Sequence, residues 1–82
     1  MVVLKKNNLN TIRLSSSTIY ALENDSLFLK CCRNNNELII NGNRYKLNLL
    51  LNSLLIGSPI DTIKKLTEHD VYNKLEEGGF LE

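Results

Sequence analysis

The side chains able to do covalent chemistry are few and scattered. Cys31 and Cys32 are adjacent. Neighbouring cysteines rarely bridge each other, and no second pair or Cys-x-x-Cys is present to build a disulfide framework. The expected arrangement is one thiol inward and one outward on a strand, kept reduced in a cytoplasmic setting. His69 is the only histidine, so the ligands for a zinc site are lacking. The Ser15-Ser16-Ser17 run has no base or glycine elbow near it, which leaves no activated nucleophile. Asp61, Glu68 and Asp70 fall where helices are expected to begin, and the helix dipole explains acids there without any acid–base role. These residues point to a protein that is not an enzyme and has no metal or cofactor. The segment with the most recognition potential is instead Glu37-Leu38-Ile39-Ile40-Asn41, a stretch of strand whose main chain could pair with another polypeptide.

The rest of the chain must position that segment. Eighty-two residues allow one small domain with one modest core. With 43% apolar and 23% charged residues the composition is that of a globular protein. Leucine is abundant enough to fill the core, and asparagine clusters mainly where turns are expected, since it tolerates the left-handed region. Val2-Val3-Leu4 runs at once into Lys5-Lys6, unlike a signal-peptide core. Leu47–Ile56, the longest greasy stretch, is interrupted by Asn48, Asn52 and Ser53 and falls far short of the roughly 20 residues that cross a bilayer. No membrane association is expected.

The pattern divides into a β-like half and an α-like half. Thr18–Leu22 reads as a strand, Glu23–Ser26 as a turn, and Leu27–Cys32 as a second strand, with Leu27, Leu29 and Cys31 on one face and Phe28, Lys30 and Cys32 on the other. Asn34-Asn35-Asn36 makes the next turn and Glu37–Ile40 the third strand, ended by Asn41-Gly42. Thr11–Leu14 either extends the first strand or forms a separate one. A helix from about Asn43 to Ile56 carries Leu47, Leu50, Leu51, Leu54 and Leu55 at spacings of three and four. Gly57 suits a left-handed C-terminal position. Ser58 as N-cap and Pro59 as first residue open a second helix, with Ile60, Ile63 and Leu66 inward. Thr67–Asp70 opens a third, which runs to about Glu77 and stops at Gly78-Gly79; Phe80-Leu81 folds back as an apolar tail. The expected class is α+β, a small winged helix-turn-helix-like domain with a three-stranded antiparallel sheet followed by three helices. The chain is read as a single domain over 1–82, in which 1–17 is a segment without an assigned structure and 18–82 is the recognition domain.

Helix-turn-helix order raises the question of DNA. Residues 1–46 carry seven basic and three acidic side chains, a net +4; residues 47–82 carry three basic and six acidic, a net −3. The third helix would enter the groove, yet it brings Glu68, Asp70, Glu76 and Glu77 against Lys74 alone. Phosphates would repel it, so nucleic acid is a poor partner. Only Phe80, Leu81 and Glu82 follow Gly79, too few for a C-terminal wing hairpin.

In a three-strand meander the third strand is an edge. Natural edges are usually blunted by Lys, Pro or a bulge. Glu37–Asn41 has neither Lys nor Pro, and beside a helix it suits strand addition by a peptide, or pairing with another copy to form a homodimer. The competing possibility is that Thr11–Leu14 occupies it.

The succession of Leu38-Ile39-Ile40-Asn41-Gly42, a leucine-rich helix, Gly57-Ser58-Pro59-Ile60-Asp61-Thr62-Ile63-Lys64-Lys65-Leu66, and Val71-Tyr72-Asn73-Lys74-Leu75-Glu76-Glu77-Gly78-Gly79-Phe80-Leu81 resembles the RiPP recognition element. That is the small winged-helix domain binding leader peptides of ribosomally made, post-translationally modified peptides. The similarity spans roughly 18–82. It is greatest to the domain fused to cyanobactin-type azoline-forming cyclodehydratases, and it extends to the stand-alone pyrroloquinoline quinone peptide chaperone. The resemblance implies that a leader peptide lies as an extra antiparallel strand between the third strand and the third helix. Glu37, Leu38, Ile39, Ile40 and Asn41 would offer the backbone edge, and Val71, Tyr72, Lys74 and Leu75 the helical wall. It also implies a partner enzyme, such as a cyclodehydratase or a radical enzyme. Family leaders are often acidic with hydrophobic anchors, which suits the basic half. The link between the second and third helices is shorter than the family pattern. On their own, Val71, Tyr72 and Leu75 read equally well as core, Lys74 as a solvated charge, and His69 as a surface residue. A winged-helix DNA-binding regulator and a strand-pairing oligomerisation module are the alternative functions.

Overall fold

The computed structural model describes residues 11–82. Residues 1–10, including Val2–Lys6, lie outside the described residues. The elements run β1 (Thr11–Ile12), β2 (Thr18–Glu23), β3 (Ser26–Cys31), β4 (Asn36–Asn41), α1 (Arg44–Ile56), β5 (Ser58–Pro59), α2 (Ile60–Leu66) and α3 (His69–Glu77). The fold is α+β: β2, β3 and β4 form an antiparallel sheet in that order, followed by three helices.

Asparagine shapes both sheet turns. Asn24 (φ 50°) and Asn35 (φ 63°) adopt the left-handed conformation that few other side chains tolerate. Alternation then sorts the faces. Leu27, Leu29 and Cys31 point inward and are buried, while Phe28 is partly exposed on the outer face. Asn43 caps α1, its side-chain oxygen accepting from the N–H groups of Tyr45 and Lys46. Leu47, Leu50, Leu51 and Leu54 lay the stripe of α1 on the sheet; Ile63 from α2 and Leu75 from α3 complete the core, and Phe80 closes its base.

Thr11–Leu14 does not pair with β4. Thr11 and Ile12 pair with Pro59 and Ser58. Arg13 exchanges two backbone bonds with Glu82, and Ser15 N–H donates to Phe80 O, so the C-terminal tail is stitched to this segment. Residues 11–17 therefore belong to the fold. The hydroxyls of Ser15 and Thr18 satisfy each other in the interior, 3.1 Å apart.

Three helix-boundary expectations are corrected. Ser58 is not the cap of α2; Pro59 holds that position, and the Ser58 hydroxyl donates back to Ser53 O at the end of α1. Thr67 likewise donates to Ile63 O, closing α2 rather than opening α3. Gly57 has positive φ (95°), but its ψ of 127° directs the chain into β5 instead of a left-handed turn. In each case a hydroxyl or glycine met the nearer unsatisfied carbonyl or the strand pairing beyond it.

Candidate functional site

Backbone bonding in the sheet determines which main-chain groups are free. In an antiparallel ladder, residues that exchange bonds with one neighbour alternate with residues that face the other way. Cys32 N–H donates to Ser17 O. Two-residue steps along that register bond Lys30, Phe28 and Ser26 to Ile19, Ala21 and Glu23 of β2. Gly42 N–H donates to Asp25 O, and the same steps bond Leu27 to Ile40 and Leu29 to Leu38. The remaining β4 residues, Glu37, Ile39 and Asn41, thus aim both N–H and C=O at the open margin. Among the described residues no strand pairs with that margin.

The five strand residues singled out from sequence therefore divide into two roles. Glu37, Ile39 and Asn41 offer backbone, while their side chains lie on the outer face. There Glu37 approaches Lys30 (3.9 Å) and Asn41 accepts from the Ser26 hydroxyl (2.7 Å). Ile39 is 56% exposed on the same face. Leu38 and Ile40 are tied to β3 through their backbones and send their side chains inward, half-buried and buried respectively.

α3 runs beside this margin and leaves a recess near each end of β4. The first, of about 490 Å³, lies at the Asn41 end. Ile40, Leu47, Leu50, Leu66 and Val71 give it an apolar lining, and the exposed Lys46, Lys65 and Glu68 border it. The second, of about 430 Å³, lies at the Asn36 end, between Leu38 and Phe80, with Lys74 and Glu77 alongside. Of the four helical residues singled out, Val71 lines the first recess and Lys74 the second. Tyr72 and Leu75 line neither. Leu75 is fully buried and Tyr72 8% exposed, so they hold α3 in place from behind rather than face a ligand. The placement of the His69 side chain lies outside the described residues.

Sequence reasoning missed Lys46, Lys65 and Leu66. Lys46 and Leu47 come within a turn of the end of β4, a proximity that offered a signal. Lys65 and Leu66 reach the recess only because the joint to α3 is two residues long.

The far end of the groove is pinned by the asparagine turn. The Asn34 and Asn36 side-chain amides both donate to Gly78 O at 3.0 Å. Gly79 (φ 82°) passes so close that a Cβ there would stand 2.8 Å from Asn34 Nδ2. Behind the wall, Lys64 stacks over the Tyr72 ring, 5.2 Å from its centroid. Burial, with the Glu76 carboxylate adding to it, raises the Tyr72 phenol above its ordinary value. Burial also works to raise the Cys31 thiol, but the Arg33 and Asn34 backbone N–H groups and the Arg33 charge leave it lowered overall. Cys31 is buried and donates to Gly79 O, whereas Cys32 is exposed; both are free. Among the described residues no group of acids, cysteines and histidine is arranged to hold a metal, and no helix is long and apolar enough to cross a membrane.

Chemically, this arrangement can do one thing well. It can extend the sheet by one strand and read that strand's side chains in two recesses. Comparisons with models of protein families, with curated proteins and with solved structures find no match to this chain.

Proposed function

We propose that this chain is a non-catalytic peptide-binding module of the RiPP recognition type. It captures the leader of a ribosomally made precursor peptide by strand addition to β4 and presents it to a modifying enzyme, a cyclodehydratase or radical enzyme acting in the cytoplasm. The observation that carries this reading is the alternation at β4. Three residues aim main-chain groups that are unpaired among the described residues at a margin that α3 flanks and two recesses accompany.

A strand added antiparallel to β4 starts over the Lys46–Lys65 recess and leaves past Lys74. An aliphatic anchor fits the apolar lining of the first recess, and an acidic neighbour meets the two lysines at its rim. The module supplies local concentration: the leader is held while the tethered core peptide reaches the enzyme. The alternative of DNA recognition gains no support from α3, whose Asp70, Glu76 and Glu77 are all exposed, as is Glu68 at its cap.

The test is amide exchange. A displayed library of random peptides is selected on the full chain, and the best binder is added to isotope-labelled protein. The expected result is new protection at the amides of Glu37, Ile39 and Asn41, with little change at Leu38 and Ile40, which are already bonded. Selected peptides whose protection maps to another surface, or no selectable binder at all, overturn the proposal.

A further inference from the structure

We propose that β2 is a self-association edge, through which two copies of this chain pair as antiparallel strands about a twofold axis. This inference is independent of the peptide-binding proposal, because it uses the opposite margin of the sheet.

β2 is bonded on one side to β3, and among the described residues nothing pairs with its other side. The alternation that frees Glu37, Ile39 and Asn41 on β4 frees Thr18, Tyr20 and Leu22 on β2. Thr18 N–H is already committed, to Ser15 O. The edge therefore offers the N–H and C=O of Tyr20, those of Leu22, and the C=O of Thr18. Neither Lys nor Pro blunts it.

The occupant that fits is a second β2. Setting Tyr20 opposite Tyr20 of the second copy makes the pairing its own mirror in register. Each Tyr20 N–H then meets the other's carbonyl, and each Leu22 N–H meets a Thr18 carbonyl. Four bonds form, and the one committed donor is not needed. Glu23 falls opposite Ser17, so no like charges face each other. Ile19 falls opposite Ala21 on the outer face. Ile19 (58% exposed) and Tyr20 (47% exposed) are exposed apolar or aromatic side chains that such a pairing would cover. Among the described residues no helix runs along this margin to provide pockets for a foreign sequence, in contrast to β4; the element that β2 contacts extensively is β3. A net charge of +1 opposes association little. The contact is isologous and uses the single β2 edge of each copy, so pairing through β2 stops at the dimer. The result is a six-stranded sheet with both β4 margins outermost and still open, able to hold two peptides at once.

One six-residue strand makes a small interface, below about 1,200 Å², so dissociation is expected in the micromolar range or weaker. Sedimentation velocity on the full chain from about 1 to 500 µM reads this directly. The weight-average mass is expected to rise from the 9.4 kDa monomer toward twice that value, and the amides of Tyr20 and Leu22 to gain exchange protection over the same range. Tyr20→Pro removes the central donor, and Tyr20→Lys adds an edge charge without altering the backbone; both are expected to stay monomeric, while Ile39→Pro dimerises as the parent does. A parent that stays monomeric throughout, a mass increase that survives Tyr20→Lys, or one that Ile39→Pro abolishes overturns the proposal.

Discussion

Replacing Ile39 with proline separates binding from folding, because the Ile39 N–H points out of the sheet. Nothing in the β2–β3–β4 ladder uses that donor. The side chain is 56% exposed, and proline is tolerated on an edge strand whose N–H side is free. The expected stability loss is about 1 kcal/mol or less. The cost to binding is larger. A peptide carbonyl that met Ile39 N–H is left buried without a donor, a penalty of about 1–3 kcal/mol. The proline Cδ also stands where the hydrogen was and pushes the added strand away, weakening its neighbouring bonds. A loss near 3 kcal/mol is expected, and at about 1.4 kcal/mol per decade that is roughly a 100-fold weaker complex. The control is Leu38→Pro, one residue away. Leu38 N–H is bonded to Leu29, so this variant loses a ladder bond and about 3 kcal/mol or more of stability. Calorimetric titration with a library-selected peptide measures affinity, and urea unfolding followed by circular dichroism measures stability. A folded Ile39→Pro variant that binds within threefold of the parent refutes the argument, as does a Leu38→Pro variant as stable as Ile39→Pro.

Further expectations concern the walls of the groove. Leu75→Ala empties a fully buried site and is expected to cost about 2–5 kcal/mol of stability. Val71→Ala touches a half-buried recess residue and is expected to weaken peptide binding with a stability loss of about 1 kcal/mol; chemical denaturation alongside titration distinguishes the two, and a binding-neutral Val71→Ala removes that residue from the site. Asn34→Ala and Asn36→Ala each delete one amide bond to Gly78 O. Each is expected to cost about 0.5–1.5 kcal/mol and to speed amide exchange at Gly79 and Phe80; unchanged exchange in the double variant means the turn does not pin α3.

Much of the fold was legible because its signals are local. Period-two alternation in Leu27–Cys31 and Leu38–Ile40, broken by asparagines able to adopt positive φ, located the meander and its inward faces. The α1 stripe did the same at the helical period for Leu47, Leu50, Leu51 and Leu54, but not for Leu55, which is 42% exposed. What escaped was set by partners remote in sequence. Thr11–Leu14 pairs with Ser58-Pro59 and with the tail at Leu81, and nothing within the segment distinguishes those partners from β4. Tyr72 and Leu75 have the same ambiguity on α3. A helical repeat identifies an apolar face, but the rotation of the helix about its axis decides whether that face meets core or groove, and tertiary packing sets that rotation.

The free backbone groups of the sheet occupy a middle position. Side-chain alternation shows which way a residue points, not which neighbour its N–H meets. The missing datum is the turn. The two-residue link Asn24-Asp25 makes Glu23 and Ser26 partners, and a tight hairpin closes on a bonded pair. From that pair, counting by twos assigns the amides of β2 and β3. The register of β4 on β3, held through Gly42 and Asp25, then dictates that Ile39 and not Leu38 presents its N–H at the margin of β4. A residue inserted at Asn24-Asp25 would change which β2 amides meet β3. Shifting the register of β2 on β3 would not free Leu38, because β3 and β4 keep their own pairing through Gly42 and Asp25; a second insertion in the 32–35 turn would. Edge recognition in this fold is therefore controlled by turn length, a property that substitutions within β4 cannot compensate.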